Sequence, residues 1–321
     1  MLFLSKPKPK PQRKTLKSQR GVVLIVALMI VALVAAMAYM MMARLERDTR
    51  RTTLILQNTQ AELYASRSVV WAIAQLHQNW EQQAPKQIVD KMPCHLPEVT
   101  ENGYRIATDI EDMQGRFNIN NLTLPDADAD FKRMLNALMP SLSPQQITKL
   151  TQAIQEWVAP GHDRNASSHY YLNLPIPYRA AHKPMVSITE LRLVRGMTPA
   201  IYNVLKPYVA ALPPPTAINI QTAAAPVLMT LGNSLTLETG KIIEAARKGL
   251  PAQTIDALNN LDIIKNHPVT PEKLVFISSY FLVKTVVSIE KQHIVFYTLL
   301  TRRTDGQHIA VQVVWQSKGS E

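Results

Sequence analysis

Val22 to Ala43 form an unbroken run of apolar residues without a single charge. At a rise of about 1.5 Å per residue, roughly 20 such residues cross a bilayer's hydrocarbon core, so the run predicts a membrane-spanning helix. The chain continues without Pro or Gly into Arg44 to Gln83. Leu45, Leu54, Ile55, Leu63, Tyr64, Val70, Ile73 and Leu76 recur there at helical intervals, which predicts one long helix over 23–83. Pro85, Pro93 and Pro97 then break the chain into a loop holding Cys94, which reads as a packing residue. Tyr104, Ile106, Thr108 and Ile110 alternate with polar residues and predict a strand. Asp112 to Gly115 read as a turn, and Arg116-Phe-Asn-Ile-Asn120 reads as a second strand.

From Asp126 to about Ser279 the pattern changes to short helices between proline loops, expected at 127–139, 144–158, 187–195, 198–210, 222–231, 238–247, 252–259 and 271–276. Ser143-Pro144 and Thr198-Pro199 each put an N-cap before a proline at the first helical position, and Ser187-Ile-Thr-Glu190 is a capping box. Leu212-Pro-Pro-Pro-Thr216 splits this region into two expected lobes. Strands resume at Tyr280 to Val287, Ile294 to Arg302 and His308 to Trp315, the last two joined by the hairpin signal Asp305-Gly306. A sheet that opens near residue 104 and closes near 315 makes the helical region an insertion whose two ends leave the sheet close together. The expected fold is therefore α+β: a long N-terminal helix packed on an antiparallel sheet, with a large, mostly helical domain inserted between strands. Its segments are 1–21, a basic leader; 22–43, the membrane part of the helix; 44–83, its continuation; 84–121 with 280–321, a discontinuous α/β domain; and 122–279, the insert, in lobes 122–211 and 216–279.

The net charge of +11 changes little once it is located. Lys6, Lys8, Lys10, Arg13, Lys14, Lys17 and Arg20 supply seven of these charges with no acid among them, leaving 11 − 7 = +4 for residues 22–321. The basic segment predicts a cytoplasmic N-terminus by the positive-inside rule, so that everything after Ala43 faces outward. Ten scattered glycines offer no G-x-G or P-loop cradle, and one cysteine with eight histidines gives no zinc-finger or H-E-x-x-H spacing. No serine–histidine–carboxylate set or acid pair is constrained enough to nominate a catalytic centre, so no enzymatic activity is expected.

A basic leader ending in Gly21, placed directly before an intact hydrophobic helix, differs from a secretory signal peptide, whose cut follows its apolar core. It resembles the class III leader of type IV pilins and type II secretion pseudopilins. That resemblance implies a prepilin peptidase that cuts between Gly21 and Val22 and methylates the new N-terminus at Val22. The fifth mature residue of most such subunits is a glutamate, whereas Val26 stands here. An ionised carboxylate buried without a partner is costly, so a subunit with no neighbour above it does better without one. Met113-Gln-Gly-Arg-Phe-Asn-Ile-Asn-Asn-Leu122, Ser187 to Met197 and Leu212 to Ala223 are similar to motifs of the K-type minor pseudopilin of type II secretion systems. The resemblance implies a minor pseudopilin at the tip of the pseudopilus that initiates its assembly and helps export folded proteins across the outer membrane. It implies I- and J-type minor pseudopilins, the major pseudopilin, the prepilin peptidase and the inner membrane as partners, with a single membrane pass and the C-terminal bulk in the periplasm. The rivals are a minor pilin of a type IV pilus and a membrane-anchored helix-hairpin-helix protein binding DNA. The hairpin Leu231-Gly-Asn-Ser-Leu-Thr-Leu237 holds one glycine and no basic residue, so no nucleic acid is expected.

Two segments invite a metal. Asp126, Asp128 and Asp130 alternate, but Gly and Glu are missing from the sixth and twelfth positions that an EF-hand loop needs, and the acids suit a helix N-terminus instead. His162, Asp163 and His169 lie after Glu156-Trp157, where the resemblance associates an Asp-rich loop with calcium. With Ala159, Ser167 and Ser168 replacing family ligands, these three are the candidates for calcium or another divalent ion, an ordinary solvated loop being the alternative.

Overall fold

The computed structural model describes residues 19–82, 94–160, 169–247, 255–304 and 308–319. The chain divides into two units, Met1–Gln60 and Ala61–Glu321. Helix α1 runs from Gln19 to Gln82, close to the expected span. In the first unit it is exposed nearly throughout, with the apolar side chains of Val22 to Met42 bare. Among the described residues it is the one helix long and apolar enough to cross a membrane. Past the apolar run the Thr52 and Thr59 hydroxyls donate to the carbonyls of Asp48 and Ile55, at 2.9 and 3.0 Å, satisfying β-branched polar residues inside the helix.

In the second unit the apolar stripe is redistributed. Ala61, Tyr64, Ala65, Ser68, Val69, Ala72 and Leu76 are buried, whereas Leu63 and Val70, expected on the packed stripe, face outward beside Trp71. The helix seats mainly small residues on the sheet because they allow its backbone to approach closely. Ala61, Tyr64 and Ala65 meet Tyr104, Ile106, Val287 and Phe296, while Val69, Ala72 and Leu76 meet Ile110, Phe281, Val283 and Leu300.

The sheet has six strands: β1 (Cys94–His95), β2 (Val99–Glu101), β3 (Tyr104–Asp112), β8 (Tyr280–Ile289), β9 (Gln292–Thr304) and β10 (Ile309–Lys318). Its order is β1-β3-β8-β9-β10, with β2 also on β3, and every pairing is antiparallel. Asn102 and Gly103, both at positive φ (51° and 80°), form the turn between β2 and β3, an Asn-Gly hairpin outside the expected set of turns. The expected Asp305-Gly306 turn lies outside the described residues.

The second expected strand, Arg116 to Asn120, does not join this sheet. Only β4 (Phe117–Asn118) is extended, and it pairs in parallel with β5 (Val209–Ala210) in the insert. The cause is Asn118, whose side-chain oxygen accepts from the Asn120 N–H at 3.1 Å and starts a 3-10 turn over Ile119–Thr123. The same side chain bridges to the backbone of Leu212 at 3.0 Å, both as donor and as acceptor. A second short parallel pair, β6 (Ile218–Asn219) with β7 (Leu274–Val275), also lies where only helices were expected.

The insert keeps its capped helices. Helix α2 is Ala127–Leu138 and α3 is Pro144–Val158, the latter opened by a capping box in which Ser143 and Gln146 satisfy each other's backbone N–H. Ser187 and Glu190 form the expected second box, but the helix they open is a 3-10 segment, Ile188–Leu193. Helix α4, Pro199–Leu205, stops short of the expected 210 because the chain turns into β5. The expected 222–231 helix is α5 (Ala225–Leu228) followed by a 3-10 turn (Met229–Leu231), and 238–247 is α6 (Leu237–Ala246). Of 252–259 the described part is α7 (Ile255–Asn259), and Pro271–Lys273 is a 3-10 turn leading into β7. Helix α8 (Asp262–Asn266) and a helical turn at 169–172 fall where no helix was expected.

The expected lobes 122–211 and 216–279 share one core. Phe131, Met134, Ile154, Leu191 and Leu205 before the proline run and Ile220, Val227, Leu231, Ile243 and Leu274 after it belong to a single hydrophobic cluster. The run itself is tied down: Asn118 and Asn120 amides donate to the Leu212 carbonyl at 3.0 and 2.9 Å, and the Asn121 amide donates to Thr216 O at 2.7 Å.

Within this core α6 lies so close to α5 that a Cβ on Gly240 would strike the Ala225 carbonyl. A backbone atom cannot yield as a flexible side chain does, so Gly240→Ala should destabilise the chain by about 1–3 kcal/mol despite alanine's better helix propensity. Thermal unfolding checks this, and a gain in melting temperature would show that the two helices are free to separate.

Candidate functional site

The insert and the sheet meet in a buried polar knot. The chain leaves the sheet at Asp112 and returns at Tyr280, and Asp112 pairs with Phe281 in the ladder, so the two ends of the insertion are neighbours. The Asp112 carboxylate accepts from the Gln114 N–H at 2.8 Å, from the Asn219 amide at 2.9 Å and from the Thr222 hydroxyl. The Asn219 amide also donates to the Ser278 hydroxyl at 2.8 Å, and the Gln114 amide to Ala217 O at 2.9 Å. Arg302, buried over the Phe281 ring, donates to Ser278 O at 2.9 Å. This knot fixes the insert on the sheet, a structural task that needs no ligand.

Among the described residues, two bare surfaces involve α1. The first is the apolar segment Val22 to Ala43. Nothing lies within 4 Å of where a Cβ on Gly21 would stand, so no packing inside the chain calls for glycine there. Val26 is exposed like its neighbours, presenting an apolar side chain and no charge.

The second bare surface is a groove of about 290 Å³ between residues 64–71 of α1 and strands β2 and β3. Tyr64, Val70, Trp71, Pro97, Val99 and Ile106 make its walls. Arg67 and Glu101 pair at 2.8 Å on its rim. Tyr64 and Tyr104 stack with centroids 5.2 Å apart, and the Asn102 amide donates to the Tyr64 hydroxyl at 3.1 Å. Burial, reinforced by Tyr64, raises the Tyr104 phenol above its usual range, which keeps it neutral. An apolar trough with Trp71 half-exposed on one lip and one ionic pair at the rim suits an apolar helix face from another chain.

Of the candidate metal ligands, His162 and Asp163 lie outside the described residues, and His169 is exposed at the start of the turn at 169–172. Among the described residues no group of three His, Cys, Asp or Glu side chains stands ready for an ion. Two members of the Asp126-Asp128-Asp130 set are spent on cations: Lys132 holds Asp128 at 2.7 Å, and Arg133 and Lys273 hold Asp130 at 2.7 and 2.6 Å. The hydrogen bond from Lys132 keeps the Asp128 carboxyl below the ordinary range. In the hairpin region Lys241 pairs with Glu238 at 2.8 Å, and Arg247 donates to Ile220 O at 2.8 Å and to Ala223 O. Desolvation lowers the Arg247 pKa from its usual value. Cys94, half-buried in β1, packs against the cluster under α1.

Residues 115–214 match the sequence profile of the family described as type II secretion system (T2SS), protein K. The chain is 28% identical to the type II secretion system protein K of Pseudomonas aeruginosa over 312 residues, covering 91% of each. It is 30% identical to the protein of the same description from Klebsiella pneumoniae over 230 residues, 64% of this chain and 66% of that one. The Pectobacterium carotovorum protein is 27% identical over 303 residues, 84% and 89% of the two chains. Among solved structures, a chain of the GspK-GspI-GspJ complex from the enterotoxigenic Escherichia coli type 2 secretion system superposes with a TM-score of 0.66 at 21% identity. It is matched over its full length, 100%, by 84% of this chain, which establishes the shared fold.

Proposed function

From its similarity to type II secretion system protein K in sequence and fold, we propose that the chain is a member of that family, the minor pseudopilin that starts the pseudopilus and caps its tip, anchored in the inner membrane with its bulk in the periplasm. Its work is assembly rather than catalysis. Cleavage after Gly21 frees Val22 for methylation, and the apolar helix then packs laterally with those of neighbouring subunits. I- and J-type minor pseudopilins dock beside it, as GspI and GspJ join GspK in the matched Escherichia coli complex, and the major pseudopilin follows below.

The observation that carries this reading is Val26 within a bare apolar helix. A subunit with a neighbour above it gains from a carboxylate at that place, because the acid pairs with the neighbour's N-terminal ammonium. A subunit with nothing above it would hold the charge unpaired in hydrocarbon. The absence of required packing at Gly21 supports recognition by an external enzyme as the reason for the glycine. N-terminal sequencing of membrane-extracted protein tests the anchor: methylated Val22 is expected only in cells that contain the prepilin peptidase. An intact Met1 in those cells would remove the leader assignment.

The α1 groove is the proposed seat of a partner helix. Trp71 is 51% exposed and leaves the intramolecular core untouched. Trp71→Glu should therefore fold normally yet weaken co-purification with the I- and J-type subunits by about tenfold or more, the range of an aromatic hot spot. Undiminished co-purification would move the docking face elsewhere.

A further inference from the structure

The insert carries an apolar projection set among cations, which the assembly role leaves unused. Residues 172–177 form a loop closed by the Tyr178 N–H donating to Tyr171 O at 3.3 Å. At its tip Ile176, between Pro175 and Pro177, is 83% exposed, more than any other large apolar side chain among the described residues, those of the membrane segment included. The loop stands on a rigid aromatic base. Tyr171 packs on Tyr170 and Tyr178 with centroids 5.1 and 5.3 Å apart, and Trp157 meets Tyr171 at 5.5 Å. The Tyr178 hydroxyl donates to Leu193 O at 2.7 Å, and the Arg195 guanidinium lies 5.2 Å from the Tyr170 ring centroid. Ile176, Leu172, Tyr170 and Leu193 are each exposed, and Tyr178 ties the loop to the backbone of Tyr171 and Leu193.

Its charge is one-sided. Over residues 169–200 Arg179, Lys183, Arg192 and Arg195 are exposed, and Glu190 is the sole acid. Glu190 is already spent: its carboxylate accepts from the Val186 N–H at 2.8 Å and from the Trp157 indole at 3.3 Å. Glu156 of α3 approaches Arg195 at 3.8 Å, which leaves Arg179, Lys183 and Arg192 unopposed by any of these acids.

We propose that this surface docks on an anionic phospholipid bilayer, with Ile176 entering the acyl region while Arg179, Lys183 and Arg192 meet headgroup phosphates. A projecting apolar side chain needs an acceptor that deforms around it, as a bilayer does, whereas a protein partner must offer a socket shaped in advance. Tyr170 has the amphipathic character of residues at membrane interfaces. The inference concerns the insert alone and holds wherever in the fibre the subunit sits.

The test uses the full chain reconstituted in phosphatidylcholine nanodiscs, so that its own membrane helix is already occupied. Separate vesicles of phosphatidylcholine, with or without phosphatidylglycerol, are added, and co-flotation is measured. Flotation is expected with the phosphatidylglycerol vesicles only. It should weaken about tenfold in Ile176→Ser, about fivefold in Arg179→Gln, and fall as salt rises. Ile176 is so exposed that its replacement leaves the fold intact, which circular dichroism verifies. Flotation unchanged by Ile176→Ser, or equal with both vesicle types, would overturn the proposal. So would capture of a poly-glutamate peptide by nanodiscs that ignore the vesicles, which would point to an acidic polypeptide instead.

Discussion

Asp112→Ala is expected to lower the unfolding free energy by about 3–5 kcal/mol, the largest loss expected of any single side chain in the seam between sheet and insert. Asp112 is 8% exposed, and its carboxylate accepts hydrogen bonds from the Gln114 backbone, Asn219 and Thr222. Removing it strands those donors where water reaches poorly, at about 1–3 kcal/mol for each fully buried one. It also unties β3 from β6, so the cost falls where the two parts join. Asp112→Asn should recover part of the loss, because one oxygen still accepts while the new amide opposes the donors. Denaturant unfolding of the detergent-solubilised chain measures both variants. A change below about 1 kcal/mol for the alanine would mean that the seam is held by apolar contacts alone.

That seam marks the boundary of what the sequence discloses. Local signals were legible: the apolar run of α1, the N-cap at Ser143, the capping box at Ser187, the alternation of β3 and the apolar stretches of β8, β9 and β10 each act over a few residues. Asn118 reads as a strand residue because its neighbours alternate, yet its amide finds Leu212, 94 positions away, and turns the chain. Asp112 with Asn219 is likewise a contact between distant segments, 107 positions apart, with no local trace. Helix α1 misleads for another reason. Hydrophobic periodicity marks its large residues as the packed face, whereas small Ala61, Ala65 and Ala72 allow the close approach and Val70 and Trp71 stay exposed. The groove was therefore missed, although two large apolar neighbours, Val70 and Trp71, cannot both face inward on one helix edge. Gly21, Val22 and Val26 come from the sequence alone, since the roles proposed for them depend on an enzyme and neighbours outside this chain.

Val26→Glu should reduce secretion by about tenfold or more, while Val26→Gln should cost far less. In the tip reading the glutamate has no ammonium above it and must either stay charged in hydrocarbon or bind a proton. Either way the assembled state loses about 1.5–3 kcal/mol, and each 1.4 kcal/mol is a factor of ten. Glutamine brings polarity without charge, so the difference between the two variants isolates the unpaired charge. Secretion should be followed beside the amount of membrane-inserted protein, which separates failed assembly from failed insertion. Equal, mild effects of both variants would indicate that a charge at residue 26 is satisfied by a neighbour.

Where the subunit sits decides the matter most directly. Isolated pseudopili carrying a tag at the C-terminus of this chain can be labelled and imaged, with the label counted and positioned along each fibre. A single label at one end of each fibre is the expected result. Labels repeated along the shaft, with other copies stacked above residue 26, would contradict a capping role.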